Sequence, residues 1–305
     1  MTVGRILRIE KLSTFDGDGL RTVIFLKGCP LGCRWCSTPE SQKKTTDFGI
    51  HKNKCTNCFT CVDTCPEGAI SHDDAGDIFT TDMTLCKDCR QCVDGCPAGA
   101  RIAYGYNATV DEMLRELGKD SVFYYHSGGG VTVSGGEPLV QKDFVAALLE
   151  GCVMQGINTA VETSGHVPWE NIENVLPWID TLFYDLKHLD ANIHRQITGV
   201  DNGLILENLK KIDETHRSFP VIVRMPVIPT LNDQDANIKA LGLFCRGLKK
   251  LKEIQLLPYH RLGIETYRRL SLSYGLEGIR SPGDDEMNRK VDLLKDMGLR
   301  VRVGG

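Results

Sequence analysis

The chain has 305 residues, 41% of them hydrophobic and 25% charged, which suffices for one large core, or one core and a small module, in an ordinary globular protein. Its net charge of −4 gives no electrostatic reason to expect a nucleic-acid partner, and the opening MTVGRILRIEK lacks the apolar stretch of a signal peptide. With no run of transmembrane length either, the expected setting is cytoplasmic, with no membrane partner.

In chain order, LRTVIFLKG (20–28) reads as a buried strand. It delivers GCPLGCRWCSTPE (28–40), in which Cys29, Cys33 and Cys36 are spaced C-x3-C-x2-C. Three thiols are one short of a closed cage. Either a fourth ligand comes from elsewhere or one coordination position stays open. A structural zinc completed by a histidine is the alternative for these residues taken alone. Trp35, between the second and third thiol, either packs beside the bound metal and limits solvent access or is a plain core aromatic.

An internal repeat follows. Cys55, Cys58, Cys61 and Cys65 recur 31 residues later as Cys86, Cys89, Cys92 and Cys96, each quartet in the form C-x2-C-x2-C-x3-C-P. The chain's 13 cysteines are an odd number without a secretion signal, so metal or iron–sulfur ligation is favoured over disulfides. Residues 49–103 are therefore expected to form a separate module, with halves near 49–75 and 77–103. It has so little apolar material that metal must supply much of its stability. The repeated run has the form of two-cluster ferredoxins, in which the fourth cysteine of each run ligates the other run's cluster. That form assigns Cys55, Cys58, Cys61 and Cys96 to one [4Fe–4S] cluster and Cys65, Cys86, Cys89 and Cys92 to the other. Zinc, which thiolates also suit, is the plainer alternative.

Beyond the repeat, Thr109 starts a helix through a capping box with Glu112, and Val110, Met113, Leu114 and Leu117 form its apolar stripe. GVTVSG (130–135) is a short strand entering a glycine-rich loop. A helix over 141–155 places Phe144, Val145, Leu148, Leu149 and Cys152 on one face. Further strands are expected at 158–162, 180–185, 221–226, 253–257 and 299–303, with helices at 203–216, 233–248 and 284–297. Cys152 and Cys245 read as buried structural thiols. Such alternation argues for parallel strands with right-handed crossovers, in an open doubly wound sheet or a full or partial barrel. In either, chemistry belongs beyond the C-terminal strand ends, where the triad, SGGE, ETSG, YDLK and LLPYH all fall.

The motifs also resemble a known family. They are STFDGDGLRT (13–22), the triad, the eight-cysteine repeat, VTVSGGEPL (131–139), VETSG (161–165), YDLKH (184–188), VRMPVIP (223–229) and LLPYHRLG (256–263). In this order, over nearly the whole chain, they resemble the radical S-adenosylmethionine (SAM) superfamily. Within it they are similar to the glycyl-radical enzyme activating enzymes that carry an inserted two-cluster ferredoxin-type domain. The resemblance implies an α/β fold: a partial (β/α)6 barrel, open at the side, built from residues 1–48 and 104–305, with the small α+β insert at 49–103. It implies three [4Fe–4S] clusters. The triad would hold three irons of the catalytic one, and the amino and carboxylate groups of SAM's methionine would chelate the fourth. Reductive cleavage of SAM would give methionine and a 5′-deoxyadenosyl radical, which takes the α-hydrogen from one glycine of a partner glycyl-radical enzyme. A low-potential donor such as flavodoxin or ferredoxin would supply the electron under anaerobic conditions, to a monomeric activase.

The same resemblance implies residue roles. Gly135, Gly136 and Glu137 face the methionine amine; Asp185 and Lys187 surround SAM, with Lys187 near its carboxylate; His260 contacts SAM. Arg224 helps close over SAM and the partner's glycine loop. Glu162 and Thr163 join Asp185 in a monovalent-cation site, although the better-known pattern begins with aspartate. Asp16-Gly17-Asp18-Gly19 replaces the usual DGPG and loses the proline's rigidity. Thr38 replaces the commoner asparagine and is expected to stay behind the ligands.

Three other functions would use the same residues: SAM cleavage directed at a small molecule or an unrelated protein, a non-catalytic electron-transfer adaptor, and a zinc-dependent structural protein. A glycyl-radical signal, release of 5′-deoxyadenosine and the iron content separate them.

Overall fold

Apolar residues at every second position build the strands, and the same alternation decides what lies on each side of the sheet. The computed structural model describes residues 2–73 and 79–304. In chain order its strands are β1 (Val3–Ser13), β2 (Arg21–Leu26), β3 (Asp47–Ile50), β4 (Ile70–His72), β5 (Phe79–Thr81), β6 (Arg101–Tyr104), β7 (Tyr106–Thr109), β8 (Gly130–Gly135), β9 (Asn158–Thr163), β10 (Thr181–Asp185), β11 (Val221–Val227), β12 (Leu251–Pro258) and β13 (Val301–Val303). Nine of them form one mixed α/β sheet in the order β13-β12-β11-β10-β9-β8-β2-β1-β7.

From β2 to β13 neighbouring strands are parallel, as the strand–helix alternation predicts. The edge differs: β1 runs antiparallel to both β2 and β7. Neither β1 nor β7 was expected. β1 carries Arg5, Arg8, Glu10 and Lys11 among its apolar residues, and β7 is only four residues long, so neither shows a clean apolar run.

One face of the sheet supplies Val133, Val161, Leu182, Tyr184, Val223, Met225 and Leu256 to the principal core. Helix Lys142–Met154 covers it with Phe144, Val145, Leu148, Leu149 and Cys152, the stripe expected from the sequence. Each aliphatic side chain buried there is worth about 1.5–3 kcal/mol. The intervening residues face the other way. Thr132, Ser134, Arg224 and Gln255 are polar and buried, and only Ala160, Phe183 and Ile222 make an apolar cluster on that side. A strand that spends alternate positions on buried polar groups is provisioning a site.

The Thr109–Glu112 capping box forms and starts helix Val110–Gly118. Helices Ser121–Ser127, Trp169–Val175, Ala191–Thr198 and Ile264–Arg269 were not expected. Among the described residues, no helix is long and apolar enough to cross a membrane.

The cysteine-rich segment has its own small elements: the β3–β6 ladder, the β4–β5 hairpin and the short helices Thr60–Asp63 and Gln91–Asp94. Its apolar centre is Ile50, Ile70, Phe79, Cys92 and Ala100, with other cysteines packed around. The repeat is visible in the backbone. Asn57 and Phe59 take left-handed φ of 53° and 56°, and their counterparts 31 residues on, Asp88 and Arg90, take 54° and 63°. The expected division near residues 75–77 lies outside the described residues.

Candidate active site

The cysteine triad sits on the loop leaving β2, at the C-terminal end of the parallel strands, and lines a cavity of about 230 Å³. Two neighbours hold this loop. The C-terminal turn of helix Ala191–Thr198 offers carbonyls that helix geometry leaves free, and Gly32 N–H bonds Thr198 O at 2.7 Å while Arg34 N–H bonds Ile197 O at 3.1 Å. On the other side Gly28 N–H bonds Ser41 O (2.6 Å) and Cys29 N–H bonds Gln42 O (2.9 Å). Helix Ala191–Thr198 was legible in principle. Asp190 caps it, accepting from Asn192 N–H and Ile193 N–H, and Gly199 ends it in a left-handed conformation.

None of the three thiols is in a disulfide, and among the described residues they are the only thiols lining the cavity. Burial pushes Cys29 and Cys33 up to about 12, and raises Cys36 as well. Water will therefore not ionise them at neutral pH; a metal that displaces the proton will. Thr38, expected behind the ligands, lines the cavity with Cys36. Trp35 lies in the cavity wall and also anchors an apolar cluster with Ile197, Ile228, Tyr259 and Tyr267.

Ser134, Gly135 and Gly136 form the opposite wall. The glycines are required by packing. A Cβ at Gly135 would stand 2.3 Å from Leu26 N, and one at Gly136 2.4 Å from Gly28 O, so this loop lies directly against the strand end that carries the triad. Glu137 departs from its expected role. It is fully buried, does not line the cavity, and accepts four hydrogen bonds: from Leu139 N–H (3.1 Å), Thr163 Oγ1 (2.7 Å), Ser164 N–H (2.8 Å) and Ser164 Oγ (2.7 Å). Three of these four donors come from the ETSG loop and one from Leu139, so both carboxylate oxygens are engaged within the protein. Gly165 in that loop is also forced, since a Cβ there would collide with the Tyr184 hydroxyl.

Asp185 and Lys187, one residue apart on either side of Leu186, both reach the cavity and pair at 2.8 Å. Burial works against the Lys187 charge, but its pairing with Asp185 outweighs it and raises the pKa, so a cation stands beside the triad. His260 completes the rim after Tyr259.

Glu162 lines the cavity but is already engaged, accepting from Ser134 Oγ (2.5 Å) and ion-paired with Arg224. Asp185 pairs with Lys187 through Oδ2, and the Thr163 hydroxyl donates to Glu137. Arg224 is buried and does not line the cavity. It stacks on Phe183, 3.8 Å from the ring centre, donates to Gln255 Oε1 (2.9 Å), and reaches the carbonyl of Phe15 (2.9 Å). It thereby holds the 14–20 loop against the sheet. Thr132 Oγ1 donates to Asp16 O at 2.8 Å, and Asp18, where proline was expected, meets Lys252 at 3.2 Å. Hydrogen bonds and an ion pair replace the missing ring's rigidity.

In the cysteine-rich segment a second, smaller cavity is lined by Cys65, Cys86, Cys89 and Cys92. One thiol comes from the first half of the repeat and three from the second. Cys61 lies within electrostatic reach of Cys96, Cys92 and Cys55, and Cys96 within reach of Cys58. Backbone N–H groups point at sulfur in matched places, Ala69 to Cys65 and Ala100 to Cys96, each at 3.3 Å. Among the described residues, no three His, Cys, Asp or Glu side chains converge on a point suited to a single metal ion.

Residues 23–241 match the family described as the Radical SAM superfamily. The chain belongs to it. Among curated proteins it is 46% identical over 272 residues to the isethionate sulfite-lyase activating enzyme of Nitratidesulfovibrio vulgaris, covering 88% of each chain. It is 42% identical to the (2S)-3-sulfopropanediol dehydratase activating enzyme of Klebsiella oxytoca, covering 91% of this chain and 88% of that one. A solved domain of a pyruvate-formate lyase-activating enzyme from Bacteroides vulgatus superposes with a TM-score of 0.50 at 32% identity, over 58% of this chain and all of that one. These relatives place this radical SAM protein among the activating enzymes of glycyl-radical systems. It is an enzyme that cleaves SAM and generates a radical.

Proposed function

We propose that this radical SAM enzyme installs a radical on one glycine of a partner enzyme, using the open corner left by Cys29, Cys33 and Cys36. The observation that carries this is the three-thiol cavity with no fourth cysteine, bordered by the Lys187–Asp185 pair. Cys29, Cys33 and Cys36 would hold a [4Fe–4S] cluster, which would supply the electron that splits the sulfonium. The chain's own groups do the rest. Ammonium Lys187 neutralises SAM's carboxylate. The backbone of the Ser134–Gly136 loop, in the cavity wall with Thr163 and Ser164, borders the methionine amine, a role that falls to backbone because Glu137 is occupied. His260 and Tyr259 bound the adenosyl side, and Trp35 keeps water from the thiols.

SAM plus one electron gives methionine and the 5′-deoxyadenosyl radical. That radical takes a hydrogen atom from the glycine α-carbon and leaves as 5′-deoxyadenosine. The nine-stranded sheet is read as a partial barrel over 1–48 and 104–305, with residues 49–103 as a ferredoxin-type insert carrying two further [4Fe–4S] clusters. The cavity formed by Cys65, Cys86, Cys89 and Cys92 supports the crossed assignment, leaving Cys55, Cys58, Cys61 and Cys96 for the other cluster.

The names of the relatives order the test. The reconstituted enzyme should be offered an isethionate sulfite-lyase first, then a sulfopropanediol dehydratase, an indoleacetate decarboxylase and a choline trimethylamine-lyase. A glycyl-radical signal with one of these supports the proposal. Release of 5′-deoxyadenosine with none of them, nor with any co-encoded glycyl-radical enzyme, overturns it.

A further inference from the structure

The two halves of the cysteine repeat are alike in backbone and unlike in what they touch. In the second half Asp88 accepts from Arg5 of β1 (2.8 Å) and from Thr46 (2.6 Å), while Arg90 donates to Gly105 O. These bonds tie the Cys86–Cys92 loop to the main sheet. At the matching positions of the first half, Asn57 bonds only its own Cys55 (3.4 Å), and Phe59 stacks on His72 inside the segment, 4.4 Å between ring centres. Among the described residues, the hydrogen bonds of 55–64 stay within the segment. The first half is therefore the one not bonded to the sheet; Cys58 at its apex is exposed, as is its counterpart Cys89 in the second half.

The approach to that apex is basic in a chain whose net charge is −4. Lys52 and Lys54 are exposed immediately before Cys55, and His51 feels the positive charges of Arg269 and Lys54. Exposed Arg268 adds to this group, and Glu265, paired with both arginines, offsets only one charge.

We infer that the face formed by His51, Lys52, Lys54, Cys58 and Arg268 is the enzyme's electron-entry port, and that it receives an acidic one-electron carrier protein. The inference rests on the reading of the eight cysteines as two cluster cages. The carrier is oxidised by one electron and the cage holding Cys58 reduced by one, with no atom transferred; the half bonded to the sheet passes the electron inward. Opposite charge across the contact raises the encounter rate and makes it fall with salt.

The test uses the anaerobically reconstituted holoenzyme and an acidic plant-type ferredoxin, reduced beforehand. Binding is measured by calorimetry at low and high salt, and cluster reduction by stopped-flow absorbance. Relative to wild type, the double variant Lys52→Glu/Lys54→Glu should bind at least about tenfold more weakly and be reduced correspondingly more slowly. Lys87→Glu, an exposed charge on the loop bonded to the sheet, should change binding less than about twofold. All three proteins should be reduced alike by photoexcited deazariboflavin, a small reductant that needs no docking face. Unchanged ferredoxin binding by the double variant, or a larger loss in Lys87→Glu, overturns the port. An iron content of about four per chain removes the cages and the port with them, a failure visible before any carrier is added.

Discussion

Glu137 gives the sharpest single-residue test, because resemblance and structure assign it different work. Its two oxygens accept four hydrogen bonds in a fully buried site, two at Oε1 from Leu139 and Thr163 and two at Oε2 from Ser164. Glu137→Gln keeps one oxygen and replaces the other with a donor. The Ser164 hydroxyl can turn to accept from the new amide, but the Ser164 N–H is left facing it unpaired. A stranded buried donor costs about 1–3 kcal/mol, and losing the charge-assisted bonds adds to that, for a total of about 2–4 kcal/mol. At a urea dependence of about 3 kcal/mol per molar, the unfolding midpoint should fall by about 1 M. SAM affinity, measured on the same reconstituted protein, should drop by less than about tenfold, or 1.4 kcal/mol. An unchanged midpoint combined with a much larger loss of SAM affinity would refute the structural role and return the carboxylate to the methionine amine.

Other expected outcomes follow from the same contacts. Lys27 is fully buried and pairs with Asp47 at the root of the insert, so Lys27→Met leaves Asp47 with only the looser Lys43 contact at 3.7 Å and should cost about 1–3 kcal/mol, read by denaturation and by faster proteolysis within 49–103. Removing iron anaerobically should unfold that segment before the main sheet, because its apolar centre is small; hydrogen exchange lost evenly over the chain would contradict this. His194 is buried, and burial lowers its pKa below 6.5. The folded state thus binds its proton less readily than the unfolded state, so this contribution to stability is complete above about pH 6.5 and is lost as pH falls toward the lowered value, by at most about 1.4 kcal/mol per pH unit. His194→Gln should flatten that slope in urea melts; an unchanged slope would assign the titration to another group. Gly136→Ala should disturb the triad loop through the 2.4 Å approach to Gly28 O, altering the resonance spectrum of the reduced catalytic cluster.

Much of this was legible in the sequence, and the limits have physical causes. The parallel strands announced themselves because both of their faces are filled by the chain itself. β1 and β7 did not, because an antiparallel edge tolerates charges such as Arg5 and Lys11 in its pattern. Short motifs located Asp185, Lys187, His260 and the triad around one cavity, since strand ends and spacing fix where such residues lie. They did not reveal who holds whom. Glu137 and Arg224 are members of their motifs, yet both are turned into the protein, where Ser164, Thr163, Glu162 and Gln255 take up their charge. Those partners are 25 or more residues away in sequence, as Thr163 is from Glu137 and Gln255 from Arg224, and no local pattern encodes them. The support of the triad by Thr198 and Ile197 carbonyls was missed because helix Ala191–Thr198 was missed, although its Asp190 cap and Gly199 stop were in plain view.

The measurement that bears most directly on the central claim is electron paramagnetic resonance of the reconstituted enzyme mixed with SAM, a reductant and its partner. The expected result is a glycyl-radical doublet on the partner, with methionine and 5′-deoxyadenosine released in equal amounts, and neither product with Cys33→Ser. A doublet that survives Cys33→Ser, or SAM cleavage that leaves every co-encoded glycyl-radical enzyme without one, would contradict it.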